Sequence, residues 1–283
     1  MTAFDPRMTP ARPDLAARHL QGQVTAARFV DGEARVVIDP VAPVRQRPSH
    51  DALLDTEALH GERVTVYETT EEGWCWGQLE ADGYVGWLPA NALTAPSDDA
   101  THKVIALRTL VFPGPSIKQP PLMALPLGAR IKVAGTQDGF AVTPRGGFLP
   151  PQHLAPLDTR ESDFVAVAER FLGAPYLWGG KTALGLDCSA LVQVALTACG
   201  VACPRDSDMQ EAALGVPLPW SGDATVLRRG DLVFWKGHVG IMRDMTTLLH
   251  ANAHHMAVAM EPVAEAIARI AAAGLEVKSV KRL

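Results

Sequence analysis

The stretch "GLDCSALVQVALTACG", residues 185–200, decides how the C-terminal half of this chain is read. The run after Asp187 reads as a helix over 188–199, with Asp187 as its cap and Cys188 in the first turn. Free cysteine is among the most buried residue types, so Cys188 reads first as core. Its position argues for chemistry instead. A helix N-terminus carries about half a positive charge, which stabilises a thiolate, and the thiolate is the nucleophilic form. Cys199, near the helix end, keeps the core reading.

The surrounding sequence supplies partners for a nucleophile. "DFVAVAERFLG" (163–173) has helical period, with Phe164, Val167, Ala168 and Phe171 on one face and Gly173 as a stop. "GDLVFWKGHVGIM" (230–242) and "TLLHANA" (247–253) read as strands. "EPVAEAIARIAAAG" (261–274) reads as a helix with Pro262 at its first position and Gly274 at its end. "LEVKSVKRL" (275–283) reads as a closing strand. Helices followed by strands predict an α+β domain. A hairpin turning near Asp244 sets His238 opposite His250 on one face, with Cβ atoms about 5 Å apart. One imidazole could then serve Cys188 as general base while the other holds its far ring nitrogen. The bland alternative is two satisfied hairpin histidines. Tyr176, in "YLWGG" (176–180), could donate to an oxyanion beside the Cys188 amide, or simply pack as an aromatic.

The N-terminal half has a different texture. Residues 1–20 read as an arm. "ERVTVYETTEEGWCWGQLEADGYVGWLP" (62–89) alternates Val64, Val66, then Trp74, Trp76, then Val85, Trp87, broken by glycines, which predicts antiparallel hairpins. "GARIKVAGTQDGFAVTPRGGFLPPQHL" (128–154) repeats the style. The expected organisation is an arm (1–20), two small β-barrels (21–95 and 102–157) and the α+β domain (160–283). Linkers are expected at "APSDDATH" (95–102) and "APLDTRES" (155–162).

Bulk properties narrow the function. The chain has 283 residues, 47% hydrophobic and 20% charged, a globular composition with room for two or three domains. A net charge of −5 leaves no basic footprint, arguing against a nucleic-acid partner. No run reaches the ~18 apolar residues of a membrane helix. The first residues lack an apolar signal core, favouring a cytoplasmic location. Cys75, Cys188, Cys199 and Cys203 are too irregularly spaced for a disulfide framework, so each is expected as a free thiol.

The motifs "GAPYLWGGKTALGLDCSALV" (173–192), "CPRDSDMQ" (203–210), "LRRGDLVFWKGHVGIM" (227–242) and "LLHANA" (248–253) together resemble the NlpC/p60 family of papain-like cysteine peptidases. The resemblance covers about residues 163–283. It implies Cys188 as nucleophile, His238 as base, His250 as the orienting third residue and Tyr176 near the oxyanion. One departure is Ala190, where the family usually has glycine after "DCS"; alanine favours the helix. The N-terminal units resemble bacterial SH3-like domains. That order is similar to cytoplasmic murein-recycling enzymes that cut the γ-D-glutamyl–diamino acid bond of tripeptides and tetrapeptides with a free N-terminal L-Ala. The resemblance implies substrate contacts from Asp187, Ser189 and Ser207, and from the first barrel Tyr84 and Glu62, with Glu57 as the alternative carboxylate. An ammonium buried in a groove needs such anionic and hydroxyl partners. Glu62 also reads as a solvated turn residue, Tyr84 as barrel core and Asp187 as cap alone.

No metal or organic cofactor is expected. Cys199, Cys203, His250, His254 and His255 invite a zinc reading, but "CGVAC" has no second matching pair and no H-E-x-x-H is present. Two further readings are a different acyl chemistry on the same fold, amidase or transferase, and a non-catalytic wall-peptide binder.

Overall fold

Alternation along residues 62–89 produces the expected hairpins, but both faces of the sheet are apolar and each is covered. Seven strands form one sheet in the order Leu54–Leu59, Val41–Arg45, Val85–Pro89, Trp74–Leu79, Arg63–Thr69, Glu33–Val37, Leu93–Thr94. Its interior takes Val44, Val64, Val66, Cys75, Leu79, Tyr84 and Leu88. The other side chains of the same strands, Trp74, Trp76, Val85 and Trp87, pack on Leu15 outside the barrel. Residues 1–20 were expected as an arm, yet Leu15–Ala17 pairs in parallel with Arg28–Val30, and all three of its residues are buried. The Arg12 guanidinium lies 4.3 Å from the Trp76 ring and 4.9 Å from the Trp87 ring. The segment is ordered because it covers tryptophans that the barrel interior cannot hold.

This is a computed structural model that describes residues 4–96 and 99–283. Residues 1–3 of the expected arm and 97–98 of the expected linker lie outside the described residues. The chain splits into two units, with the boundary between Thr159 and Arg160, inside the linker expected at 155–162. Within the first unit, residues 102–156 form three small antiparallel sheets around Val104, Val111, Leu125, Ile131 and Leu149.

The second unit is α+β. Helices α1 (Phe164–Glu169), α2 (Cys188–Ala198) and α3 (Ser207–Ala213) precede strand β1 (Val216–Leu218). Strands β2 (Leu232–Trp235), β3 (His238–Met242), β4 (Thr247–Asn252) and β5 (Ala257–Pro262) follow. Helix α4 (Val263–Ala272) and strand β6 (Ser279–Arg282) close the chain. The sheet order is β1-β6-β2-β3-β4-β5, antiparallel throughout. Asp163 caps α1 by accepting the Val165 and Ala166 amides at 2.9 and 3.2 Å. Helix α2 is buried along nearly its whole length and packs on β3 and β4. The apolar stripe of α4 covers Trp235, Met242 and Leu248. Helix α4 starts at Val263, one residue later than the sequence suggests, and Glu261 and Pro262 belong to the end of β5, a strand that the sequence reading did not anticipate.

Candidate active site

Helix α2 begins where expected. Asp187 is extended and its Oδ1 accepts the Ala190 amide at 2.8 Å, making Cys188 the first helical residue. The short hairpin Lys181–Thr182/Gly185–Leu186 leads into it. A Cβ on Gly180 would sit 2.4 Å from the Gly185 carbonyl oxygen, so only glycine lets this hairpin close.

The histidine hairpin follows with a shifted register. Gly237, at φ +74°, closes the tight turn that pairs Trp235 with His238. Asp244 accepts the amides of Thr246 and Thr247 at 2.9 Å each and forms the next turn. The β3–β4 ladder pairs Ile241 with Leu249 and Met242 with Leu248, so His238 and His250 are diagonal neighbours rather than direct ones. They still share a face, and His238 Nε2 lies 2.8 Å from His250 Nδ1. Towards the His238 end of the hairpin, the Val239 amide lies near the Cys188 sulfur, as does that of Ser189, and both favour its ionised form. The thiol therefore meets β3 beside His238.

Burial and the neighbouring Asp187 carboxylate push the Cys188 thiol up to about 12. Burial, His250 and Arg269 push His238 down to about 3. Burial, Arg269, His255 and His254 push His250 down to about 3. The site rests as thiol and neutral imidazoles. This corrects the expectation of a thiolate held by the helix start: desolvation and an adjacent carboxylate outweigh the partial charge of one helix terminus. Tyr176 is half-buried. Burial, Cys188 and Asp187 hold its phenol protonated, above the ordinary tyrosine value, as an oxyanion donor requires.

The depressed imidazoles also fix a pH dependence of stability. Between their ordinary value of 6.5 and about 3, the unfolded chain binds protons on these rings that the folded protein refuses. Stability is therefore full above about pH 6.5 and falls as pH drops below it. Urea midpoints measured from about pH 5 to 8 should show this slope, and His250→Gln should flatten it.

Asp187 and Ser189 flank the nucleophile but are committed to Arg205. Arg205 reaches Asp187 Oδ1 and Oδ2 at 2.9 and 2.7 Å and the Ser189 hydroxyl oxygen at 2.9 Å. Gly179 donates its amide, and Ser189 its hydroxyl, to the same carboxylate. Arg205 is 1% exposed and Asp187 7%, so the pair is a buried, neutral unit. The Asp187 cap is present, and its charge is spent on Arg205. Ser207 is half-buried at the first position of α3. In the first unit, Tyr84 is 3% exposed in the barrel core, and Glu62 is 6% exposed with Oε2 accepting the Leu59 amide at 2.9 Å. Glu57 is half-buried in the strand Leu54–Leu59.

Sequence reasoning missed three residues. Arg205 sits in the quoted "CPRDSDMQ" motif; as the first charged residue after Asp187 in the sequence, it was the available signal. Glu261 Oε1 lies 2.8 Å from His250 Nε2, and the Arg269 guanidinium donates to that same oxygen. Leaving the strand Ala257–Pro262 unread hid Glu261, whereas strand alternation through 257, 259 and 261 puts it on the histidine face. Among the described residues, the metal-capable group that forms is His250, His255 and Glu261, with ligand atoms within 4.8 Å. It includes neither Cys199 nor Cys203, and the Arg269 cation on the Glu261 oxygen opposes a metal there.

A thiol at a helix start, beside two linked imidazoles on a neighbouring hairpin, is the layout of a cysteine-hydrolase site on an α+β scaffold. Comparison with known proteins agrees. Residues 173–272 match the NlpC/P60 family and residues 44–93 match the bacterial dipeptidyl-peptidase Sh3 domain, so the chain carries an NlpC/P60 domain behind an SH3 domain. It is 27% identical over 231 residues to a gamma-D-glutamyl-L-lysine dipeptidyl-peptidase of Bacillus cereus, covering 72% of this chain and 64% of that protein. The match thus spans just under two thirds of that relative's length. Against dipeptidyl-peptidase 6 of Lysinibacillus sphaericus the identity is 28% over 241 residues, covering 77% and 87%. The fold is similar to the crystal structure of an NlpC/P60 family protein from Bacillus cereus, with a TM-score of 0.70 at 20% identity, covering 88% of this chain and 99% of that one.

Proposed function

We propose that this protein is a cysteine endopeptidase that hydrolyses the γ-D-Glu–diamino acid bond of murein peptides with a free N-terminal L-Ala, acting in the cytoplasm in cell-wall peptide recycling. The observation that carries the reading is the Cys188–His238–His250 constellation, within a domain pair whose relatives bear dipeptidyl-peptidase names. Residues 102–157 fit the role of a second SH3-like barrel.

The chemistry follows from the resting protonation. His238 accepts the thiol proton as the Cys188 sulfur attacks the γ-glutamyl carbonyl carbon. The Cys188 amide and the Tyr176 hydroxyl hold the oxyanion. The His238 imidazolium then gives its proton to the leaving amine, and the C–N bond breaks to leave a thioester. Water, deprotonated by His238, attacks that thioester, and the proton returns to sulfur. Because Arg205 neutralises Asp187, the attraction for a substrate ammonium falls to the polar edge of Asp187, Ser189 and Ser207. A peptide whose amine is still acylated would leave that edge uncompensated.

Incubation with L-Ala-γ-D-Glu-diaminopimelate and with its N-acetylated form tests this. Release of L-Ala-γ-D-Glu from the free-amine peptide alone is expected. Equal cleavage of both would remove the free-amine requirement. Cleavage of neither, with Cys188 still alkylatable, would point to another acyl substrate.

A further inference from the structure

We propose that Glu261 and Arg269 are positioning residues that set the protonation pattern of the catalytic histidines, extending the Cys188–His238–His250 line to five side chains. The inference rests on the reading of His238 as the base for Cys188.

The argument is one of donors and acceptors. Glu261 Oε1 is 2.8 Å from His250 Nε2 and also accepts from the Arg269 guanidinium. A carboxylate paired with arginine accepts hydrogen bonds and does not donate them. His250 must then carry its proton on Nε2. A neutral His250 has one ring proton, so its Nδ1 bears a lone pair. His238 Nε2, 2.8 Å from that lone pair, must be the donor and hold a proton. A neutral His238 is left with its lone pair on Nδ1, the nitrogen available to take a proton from sulfur. The tautomer of the base is thus decided two residues away from it.

Burial makes the arrangement directional. His250 is 1% exposed, so water cannot stand in for Glu261 at Nε2. The Glu261 side chain is 10% exposed and that of Arg269 30%. Arg269 is delivered from α4, whose Val263 and Ala266 pack against Leu248 and Trp235 under the histidine face. The groups facing the two rings are Trp235 from β2, His254 and His255 from the turn after β4, Glu261 from β5, Arg269 from α4 and Asp187 from the start of α2. Arg269 serves two ends. It engages the Glu261 oxygen as a hydrogen-bond acceptor, and its charge disfavours a resting imidazolium on either ring. When His238 becomes an imidazolium during attack, Glu261 is the anion that faces the new charge through His250.

The test reads Cys188 directly, without a peptide. The rate of iodoacetamide alkylation is measured against pH for wild type, His238→Ala, Glu261→Ala and Glu261→Gln, with thermal unfolding of each. Glu261→Ala is expected to slow alkylation about 100-fold near neutral pH. Glu261→Gln, whose amide oxygen can still accept from Nε2, should recover most of that loss. Two-dimensional ¹H–¹⁵N spectra of the imidazoles should show both rings protonated on Nε2 in wild type and a mixture of tautomers in Glu261→Ala. A folded Glu261→Ala protein with wild-type alkylation rate and wild-type ring tautomers overturns the proposal, provided that His238→Ala is slow. If His238→Ala also alkylates at the wild-type rate, the reading of His238 as base fails and the inference falls with it. Should Glu261→Ala not fold, Glu261→Gln with an unchanged pH profile and His250 protonated on Nδ1 overturns it alone.

Discussion

Replacing Cys188 with alanine is expected to lower kcat/KM for a γ-D-glutamyl peptide by about 10⁴-fold or more while leaving the fold intact. The two halves of this expectation have separate causes. Without sulfur no thioester forms, and the remaining contribution comes from the oxyanion donors and substrate binding alone. Stability should change by no more than about 1 kcal/mol, because a single buried atom is deleted and it holds no ion pair. Cys188→Ser is the sharper variant. It keeps shape and hydrogen bonding but offers a hydroxyl that a neutral imidazole deprotonates far less readily, so it should be almost as inactive. Steady-state kinetics and thermal midpoints on the three proteins check both halves. Residual turnover in Cys188→Ala within about tenfold of wild type would falsify the nucleophile assignment.

The second large effect is expected at Arg205, which touches no reacting atom. Arg205→Met removes the cation from a pair whose side chains are 1% and 9% exposed, stranding the Asp187 carboxylate. Breaking a buried pair from one side costs about 3–5 kcal/mol. The stranded group should take up a proton, raising its folded value above its unfolded one. The deficit is therefore greatest above that raised value and shrinks as pH is lowered through it. Adding Asp187→Asn should restore much of the loss, since the amide oxygen still caps α2 and no charge remains to be stranded. Urea titrations of the two single variants and the double, at about pH 4 and 7, measure the coupling. A loss under about 1 kcal/mol, or none of the pH narrowing, would show that water or another group takes over for Arg205.

The distribution of what was legible follows from the range of the interactions. The α2 boundary was readable because capping is local: Asp187 acts on an amide three residues away. The sharing of a face by His238 and His250 was readable because strand side chains alternate. Their exact pairing was not, since the Asp244 turn accepts amides from Thr246 and Thr247 and sets a register that the tip residues alone leave open. Glu261 and Arg269 were hidden because the strand Ala257–Pro262, which runs directly into α4, carries no signal of its own once the helix after it is read. The protonation state of Cys188 was hidden by depth: position at a helix start is visible in the sequence, whereas desolvation is set by the rest of the fold. Ordering of the N-terminal segment was likewise non-local, because Leu15 and Arg12 acquire meaning only beside Trp74, Trp76 and Trp87.

That last arrangement bears on how the chain is made. During synthesis Arg12 and Leu15 leave the ribosome long before the tryptophans they cover, and the covered strands run to Pro89. The segment can pair with Arg28–Val30 early, but the indoles that it covers arrive only late in the synthesis of its module. Until then its apolar residues and the indoles that await them are each exposed in turn, which gives early chaperone contact a definite window during translation.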